Sequence, residues 1–344
     1  MLTLHHMRKR SLPRSHPLIS LGTIFLSALI IAITFWPGKG ITTQAAGGSF
    51  TFTAAGDYGQ TAHTTATLTY IGKSGASFDL AIGDLNYGYP GVSASSWSTY
   101  VKSYVSANFP FELVAGEHDT GDISQLAANL PNHMGNLVGS YGKEYYFDSP
   151  SGAALARFIL VSPGVLAGSY KKGGADYTWV ANAIDTARSA GIHWVIVGIH
   201  KYCLALGGNA CSYPDLLNLL VSKKVDLILS GQKHSYQASK QLALNTTSCT
   251  SIQAGSYNAT CVVSGSTSLK RGAGTVILIL GTGGASLGSL GSADPEKGYF
   301  RTWMGGNGNA TWGVGKFTVS GSQINIQFVG TAGGSFKDSF TIAG

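Results

Sequence analysis

Five short apolar runs along this chain each end in a turn that carries an acid or an imidazole, and the series demands a fold in which five strand ends converge. Ala54-Ala55-Gly56-Asp57-Tyr58-Gly59 closes the first run, and Ala81-Ile82-Gly83-Asp84-Leu85-Asn86-Tyr87 closes the second. The third ends in Val114-Ala115-Gly116-Glu117-His118-Asp119, the fourth in Val197-Gly198-Ile199-His200, and the fifth in Leu229-Ser230-Gly231-Gln232-Lys233-His234. In open α/β sheets the carboxyl ends of the strands line the ligand crevice. Glycine ahead of each polar residue permits the tight turn that lets the side chains meet. One Gly-Asp after a strand is an ordinary turn, and one histidine an ordinary core residue. Five in order predict a metal site, and carboxylates with imidazoles and no thiolate suit a hard or borderline ion.

The segments between these turns predict how the strands are joined. Strands are expected at Ser49–Ala55, Phe78–Ile82, Phe111–Ala115, Leu155–Val161, Trp194–Ile199, Val225–Leu229 and Thr275–Leu280. Helices are expected at Thr61–Gly72, Ser95–Ala107, Ala175–Ala190 and Pro214–Lys224. A Gly-punctuated tail, Gly315–Ser320, Ile324–Val329 and Ser335–Ile342, reads as strands without helices. Helical crossovers followed by a helix-free tail predict an α/β protein with mixed sheets.

Charge narrows the function. The formal net charge is +7, but residues 1–46 hold five basic residues and no acid, and the remainder carries 18 basic against 16 acidic residues. No nucleic-acid footprint survives in that remainder, so nucleic acid is not expected as a specific partner. Leu18–Trp36 is a 19-residue, mostly apolar run without charge, behind the basic cluster Arg8–Arg14. That pairing predicts a signal peptide or membrane anchor with linker over 1–46 and a single domain over 47–344, secreted or membrane-anchored and extracytoplasmic. Four cysteines agree with an oxidising compartment. They allow three connectivities; Cys203–Cys211 with Cys249–Cys261 is the simplest, and neither spacing suits a zinc knuckle.

The ordered motifs resemble those of the calcineurin-like metallophosphoesterases. The purple acid phosphatase branch is the nearer one, through Gly59 after the first Asp and Tyr87 in the second motif. The resemblance covers about residues 50–240. It implies a four-layer α/β/β/α sandwich and an exported, metal-dependent phosphoesterase with two divalent or trivalent ions (Fe, Zn, Mn or Mg) and a small phosphorylated substrate. Residue by residue, it implies that Asp57, Tyr87 and His234 bind the first ion, that Asp84 bridges both, and that His200 binds the second. His118 would stand beside the substrate, orienting phosphate or protonating the leaving oxygen. Two positions assigned to the second ion depart from the pattern: Glu117 stands where the family has Asn, and Gln232 where it has His. The exchange keeps the ligand number and adds one negative charge, shifting the set toward oxygen-preferring ions. It equally fits an eroded second site, and so a non-catalytic surface or binding protein on the same fold. Lys233 is not expected as a ligand, since neighbours in an extended turn point opposite ways.

Other features get plainer readings. Gly281-Thr282-Gly283-Gly284 follows a strand, but Ser286 replaces the third glycine of a dinucleotide fingerprint, so a turn at the sheet's edge, bordering the cleft, is expected. His63, His133 and His193 read as structural or exposed, and Trp303 and Trp312 as aromatics packed beside a loop. Asn245, Asn258 and Asn309 each begin a glycosylation triplet.

Overall fold

The computed structural model describes residues 48–344 apart from 131, 209, 210 and 292, so the apolar run Leu18–Trp36 lies outside the described residues. In chain order the elements are β1 (Ser49–Ala55), α1 (Ala62–Lys73), β2 (Phe78–Ile82), α2 (Ala94–Val105), β3 (Phe111–Val114), α3 (Ile123–Asn129), β4 (Val138–Ser140), β5 (Glu144–Ser149) and β6 (Ala156–Val161). There follow α4 (Ala175–Ser189), β7 (Trp194–Ile199), α5 (Pro214–Ser222), β8 (Leu227–Ser230), β9 (Tyr236–Ser239), β10 (Gln241–Leu242), β11 (Val262–Ser264) and β12 (Ser268–Lys270). The chain ends through β13 (Val276–Leu280), β14 (Phe300–Met304), β15 (Thr311–Ser320), β16 (Gln323–Gly333) and β17 (Asp338–Ala343).

Two mixed sheets carry the fold. One has the order β12-β17-β16-β15-β1-β2-β3, the other β14-β9-β13-β8-β7-β6-β5-β4. Strands β1, β2 and β3 run parallel, as do β6, β7, β8 and β13. Strands β1–β3 and β6–β8 are joined through helices, because a parallel pair needs a long crossover, whereas β13 returns beside β8 after β9–β12. The helix-free tail supplies antiparallel neighbours, β15 beside β1 and β16 beside β15. The two sheets face each other across an aromatic core in which Phe52 stacks on Phe317 at 4.4 Å and meets Phe158 of the other sheet edge-on at 4.9 Å. Helices α1, α2 and α3 bury Leu68, Trp97, Val101 and Leu126 against the outer face of the first sheet. Helices α4 and α5 bury Val180, Ile184, Leu216 and Leu220 against the outer face of the second. The layers are therefore helix, sheet, sheet, helix.

Local sequence explains the helix boundaries. Thr61 and Ser93 cap α1 and α2, each hydroxyl accepting the backbone N–H of the third helical residue, Thr64 or Ser96, whose own hydroxyl accepts the cap's N–H in return. Pro214 opens α5, where its missing N–H costs nothing. The disulfides join Cys203 to Cys211 and Cys249 to Cys261. Among the described residues no helix is long and apolar enough to cross a membrane.

Several expectations need correcting. The fifth run ends as Leu227–Ser230 rather than starting at Val225. Asp226 precedes the strand, with its carboxylate taking the Val195 N–H and the Arg188 guanidinium. The Gly281 turn follows β13, an interior strand, because β9 and β14 add beyond it. Those two strands and β5 were not expected: Gln237 and Arg301 break the apolar run that marks a buried strand. Gln237 is nonetheless fully buried, its amide bonded both ways to the Leu206 backbone.

Candidate metal centre

The five predicted turns meet at the carboxyl ends of both sheets. Asp57, Asp84 and Glu117 follow β1, β2 and β3; His200 follows β7, and Gln232 and His234 follow β8. Backbone bonds stitch the turns together: Asp57 N–H to Gly83 O at 3.0 Å, Tyr58 N–H to Asp84 O at 3.0 Å, and Gly231 N–H to His200 O at 3.0 Å. Gly56 N–H donates to Leu280 O at 2.9 Å and so ties the first sheet to the second.

Four of these side chains stand on left-handed backbone, with φ of 61° at Asp57, 51° at Asp84, 57° at Tyr87 and 62° at Gln232. Such residues cost about 1–3 kcal/mol each unless the surroundings over-determine them, and such strain clusters at functional sites. The neighbouring glycines show how tight the turns are. A Cβ on Gly83, itself at φ +72°, would lie 2.5 Å from the His200 ring. One on Gly116 would lie 2.2 Å from Asp84 Oδ1. Asp119 locks two turns at once by accepting the N–H groups of Leu85 and Gly116 at 2.9 and 2.8 Å. Burial pushes its carboxyl up to about 6. In sequence Asp119 is marked only by its place directly after His118 in the third motif; its bonds to Leu85 and Gly116 leave no spacing signal.

Two clusters result. In the first, Tyr87 Oη lies 2.9 Å from Asp57 Oδ1 and 2.8 Å from His234 Nε2, and His234 Nε2 lies 3.1 Å from Asp57 Oδ1. His234 Nδ1 faces the Ser286 carbonyl at 2.8 Å, which makes Nδ1 the protonated nitrogen and turns the Nε2 lone pair inward. Burial pulls the His234 pKa down, but the Asp57 carboxylate outweighs it and the net direction is up. In the second, His200 Nδ1 faces the Ile82 carbonyl at 2.8 Å. Its Nε2 therefore points at Asp84 Oδ1, 3.3 Å away, and Glu117 Oε2, 3.2 Å away. Burial lowers the His200 pKa, yet Asp84 and Glu117 raise it well above the ordinary imidazole value. Glu117 is held down at about 2, since the His200 and Gln232 bonds overcome its burial.

His200 Nε2 and Glu117 Oε2 are both buried without a hydrogen-bond partner. A lone pair facing two carboxylate oxygens is repulsive unless a cation, a proton or a metal ion, sits among them. Asp57, Asp84 and His200, all buried, each offer a ligand atom within 4.8 Å of the others. The residues present thus fit a metal ion. Gln232 Nε2 donates to Glu117 Oε1 at 2.7 Å, and the Gln232 N–H donates to Asp57 Oδ2 at 2.9 Å. His118 stands at the rim, with its side chain 49% exposed, its N–H on Asp84 Oδ1 at 3.0 Å and its ring 4.6 Å from that of Tyr87.

Lys233 turns away to donate to Gly207 O at 2.7 Å. His63 stacks on Trp312 and His133 packs on Tyr141, while the His193 carbonyl accepts from Arg188. The turn after β13 borders the site as expected, but through backbone alone: Gly283 N–H donates to Gly56 O and Ala285 N–H to Asp57 O, each at 2.9 Å.

No family model matches the chain. Among curated proteins it is similar to a phosphoenolpyruvate phosphatase of Allium cepa, 24% identical over 213 residues. That match takes in 57% of this chain and 43% of the onion protein, so the chain spans less than half the length of that relative. Among solved structures it is similar to a purple acid phosphatase from yellow lupin (Lupinus luteus) seeds, with a TM-score of 0.62 at 16% identity, covering 86% of this chain and 54% of that one. It is also similar to GAP50, the anchor in the inner membrane complex of Plasmodium, with a TM-score of 0.58 at 17% identity, covering 86% and 90%. With the strand ends assembled as described, these likenesses give the chain the fold of the calcineurin-like metallophosphoesterases, in the form that the purple acid phosphatases share.

Proposed function

We propose that this chain is an exported, metal-dependent phosphoesterase that hydrolyses small phosphate esters. The observation that carries the reading is the buried His200 Nε2, aimed with no donor between them at Asp84 and Glu117. In this reading Asp57, Tyr87 and His234 hold a first ion, Asp84 serves both ions, and His200 with Glu117 Oε2 holds a second. Gln232 acts through Glu117, using its amide N–H to fix which carboxylate oxygen faces inward. When bound, such ions acidify a water and neutralise the charge that develops on the phosphoryl oxygens. His118, half exposed and braced on the Tyr87 ring, is placed to orient the phosphate and to give the leaving oxygen its proton. Export is supported by the basic flank before Leu18–Trp36 and by the two disulfides. The kinship with an onion phosphatase supports the ester class.

A second reading rests on the Gln232–Glu117 bond. It spends on each other two groups that would otherwise both be free for a second ion. Under that reading the chain is a binding protein on the same fold, and the Plasmodium structure shows that the fold also occurs in a protein named as an anchor. Metal analysis together with hydrolysis of p-nitrophenyl phosphate and its bis-ester separates the two. The first reading expects two ions and hydrolysis of at least the monoester. The second expects at most one ion and no turnover with either.

A further inference from the structure

We propose that Trp312 is a positioning residue for the metal centre: through the turn Gly281–Ser286 its indole fixes the tautomer and direction of His234. The inference rests on the metal-site reading above, and no motif of the sequence points to it.

The turn is backbone only, yet it touches both non-phenolic groups of the first cluster. Its Ala285 N–H bonds to Asp57 O at 2.9 Å, and its Ser286 carbonyl accepts from His234 Nδ1 at 2.8 Å. The second contact is the one that matters chemically. An imidazole whose Nδ1 proton is held by a carbonyl must present an unprotonated Nε2, and here that atom faces Asp57 Oδ1 and Tyr87 Oη. The Ser286 carbonyl is only as well placed as the turn that bears it. A Gly-rich segment such as Gly281-Thr282-Gly283-Gly284 has much freedom to lose, so it needs outside restraint.

That restraint comes from three directions. Trp312 Nε1–H donates to Ala285 O at 2.7 Å, one peptide before the carbonyl that His234 uses. The indole is itself clamped, because the His63 ring lies flat on it at 3.6 Å and 10°. Thr61 Oγ1, the cap of α1, donates to Gly284 O at 2.9 Å, and Thr282 and Gly313 exchange two bonds that tie the turn to β15 next to Trp312. Trp312 bonds the turn at Ala285, one residue from Ser286, whereas Thr61 bonds it at Gly284. The indole's single N–H is what a phenyl ring lacks.

Trp312→Phe in the full chain keeps a six-membered aromatic ring for His63 to stack on and removes the five-membered ring with its N–H donor. Three readouts separate a positioning role from a merely structural one. Calorimetric titration with Zn²⁺ or Mn²⁺ should show one ion, that of the Asp57–Tyr87–His234 cluster, weakened about 10-fold or more, the scale on which outer-layer hydrogen bonds act on metal sites. Turnover of p-nitrophenyl phosphate should lose kcat with KM nearly unchanged. By ¹⁵N NMR of the metal-free protein, the His234 Nδ1–H should be slowly exchanging in the parent and should exchange faster in the variant. His63→Phe, which preserves the stacked ring, should behave like the parent in the titration. Parent-like metal affinity and parent-like His234 exchange in Trp312→Phe would overturn the proposal. So would an equal fall of metal affinity in His63→Phe, which would mean that packing alone matters. If the parent itself binds no metal and turns nothing over, the metal-site reading fails instead, and the NMR comparison still decides whether Trp312 orders His234.

Discussion

His200 donates from Nδ1 to a main-chain carbonyl and so has a single nitrogen left to offer, which it points at two acids. Asp84 faces this histidine, takes the His118 N–H and stands on left-handed backbone, so its geometry is fixed from three sides. These identities were legible as Gly-acid and apolar-His endings, because a strand end has few ways to aim a side chain. The Gln232–Glu117 bond was not legible, since no spacing tells whether an amide will turn its oxygen or its nitrogen toward a neighbour. It yields a sharp expectation. Changing Gln232→His together with Glu117→Asn should tighten the second ion, whereas either change alone should weaken it, leaving an unmatched partner. A coupling of about 0.5–3 kcal/mol between the two positions is expected from a double-mutant cycle on metal affinity. Additive effects would show that the pair does not act as a unit. Tyr87→Phe should leave metal bound but abolish any visible absorption of the iron-loaded protein, because the phenol is the only chromophoric ligand proposed.

Elements set how precisely these residues meet. β1, β2 and β7 were legible to the residue, each being a short apolar run halted by glycine or by the site itself. β9 and β14 were not, since Gln237 satisfies its amide on the Leu206 backbone and Arg301 neutralises Asp338 of β17 in the other sheet. The turn after β13 was legible as a turn but not as the carrier of the Ser286 carbonyl, because main-chain chemistry leaves no residue signature. The glycines between strand and ligand are where a small change should do most damage. Gly83→Ala should both strain a φ of +72° and push into the His200 ring, so a lower melting temperature and lost metal should appear together. Metal retention in a stable Gly83→Ala protein would contradict the packing described. Cys203 and Cys211 flank a loop that begins three residues after His200, and Lys233 and Asp294 bond to Gly207 within it. Replacing both cysteines by serine should cost about 2–3 kcal/mol in the chain-entropy account of a loop this short, read by denaturant titration.

At the scale of the molecule, the two sheets bury acids that are not part of the site. Asp79 is fully buried, and although Thr53 and Tyr58 donate to it, burial wins and pushes it up to about 7. Glu112 is pushed to about 8 in the same way. An unfolded chain releases the Asp79 proton near 3.8, so between there and about 7 the folded form holds the extra proton. The contribution of these acids to stability is therefore full at acid pH and falls as pH rises through that window. Thermal melts should show a higher midpoint at pH 5 than at pH 8, and Asp79→Asn, which mimics the protonated acid, should flatten the slope. A midpoint that rises from pH 5 to pH 8 would contradict the burial of these acids. The mixed sheets were legible from the helical crossovers and the helix-free tail, and the four layers only through the family resemblance; the buried acids were not legible, because Phe-Asp-Leu reads as a strand whichever way the Asp points. In the proposed reading, strand ends from both sheets build a metal-dependent hydrolase centre on Asp84. The most direct test is metal content and p-nitrophenyl phosphate turnover of the parent and of Asp84→Asn, measured on the same samples. The parent should hold two ions and turn over, and the variant should lose both turnover and metal. Parent-like turnover in Asp84→Asn would contradict that reading.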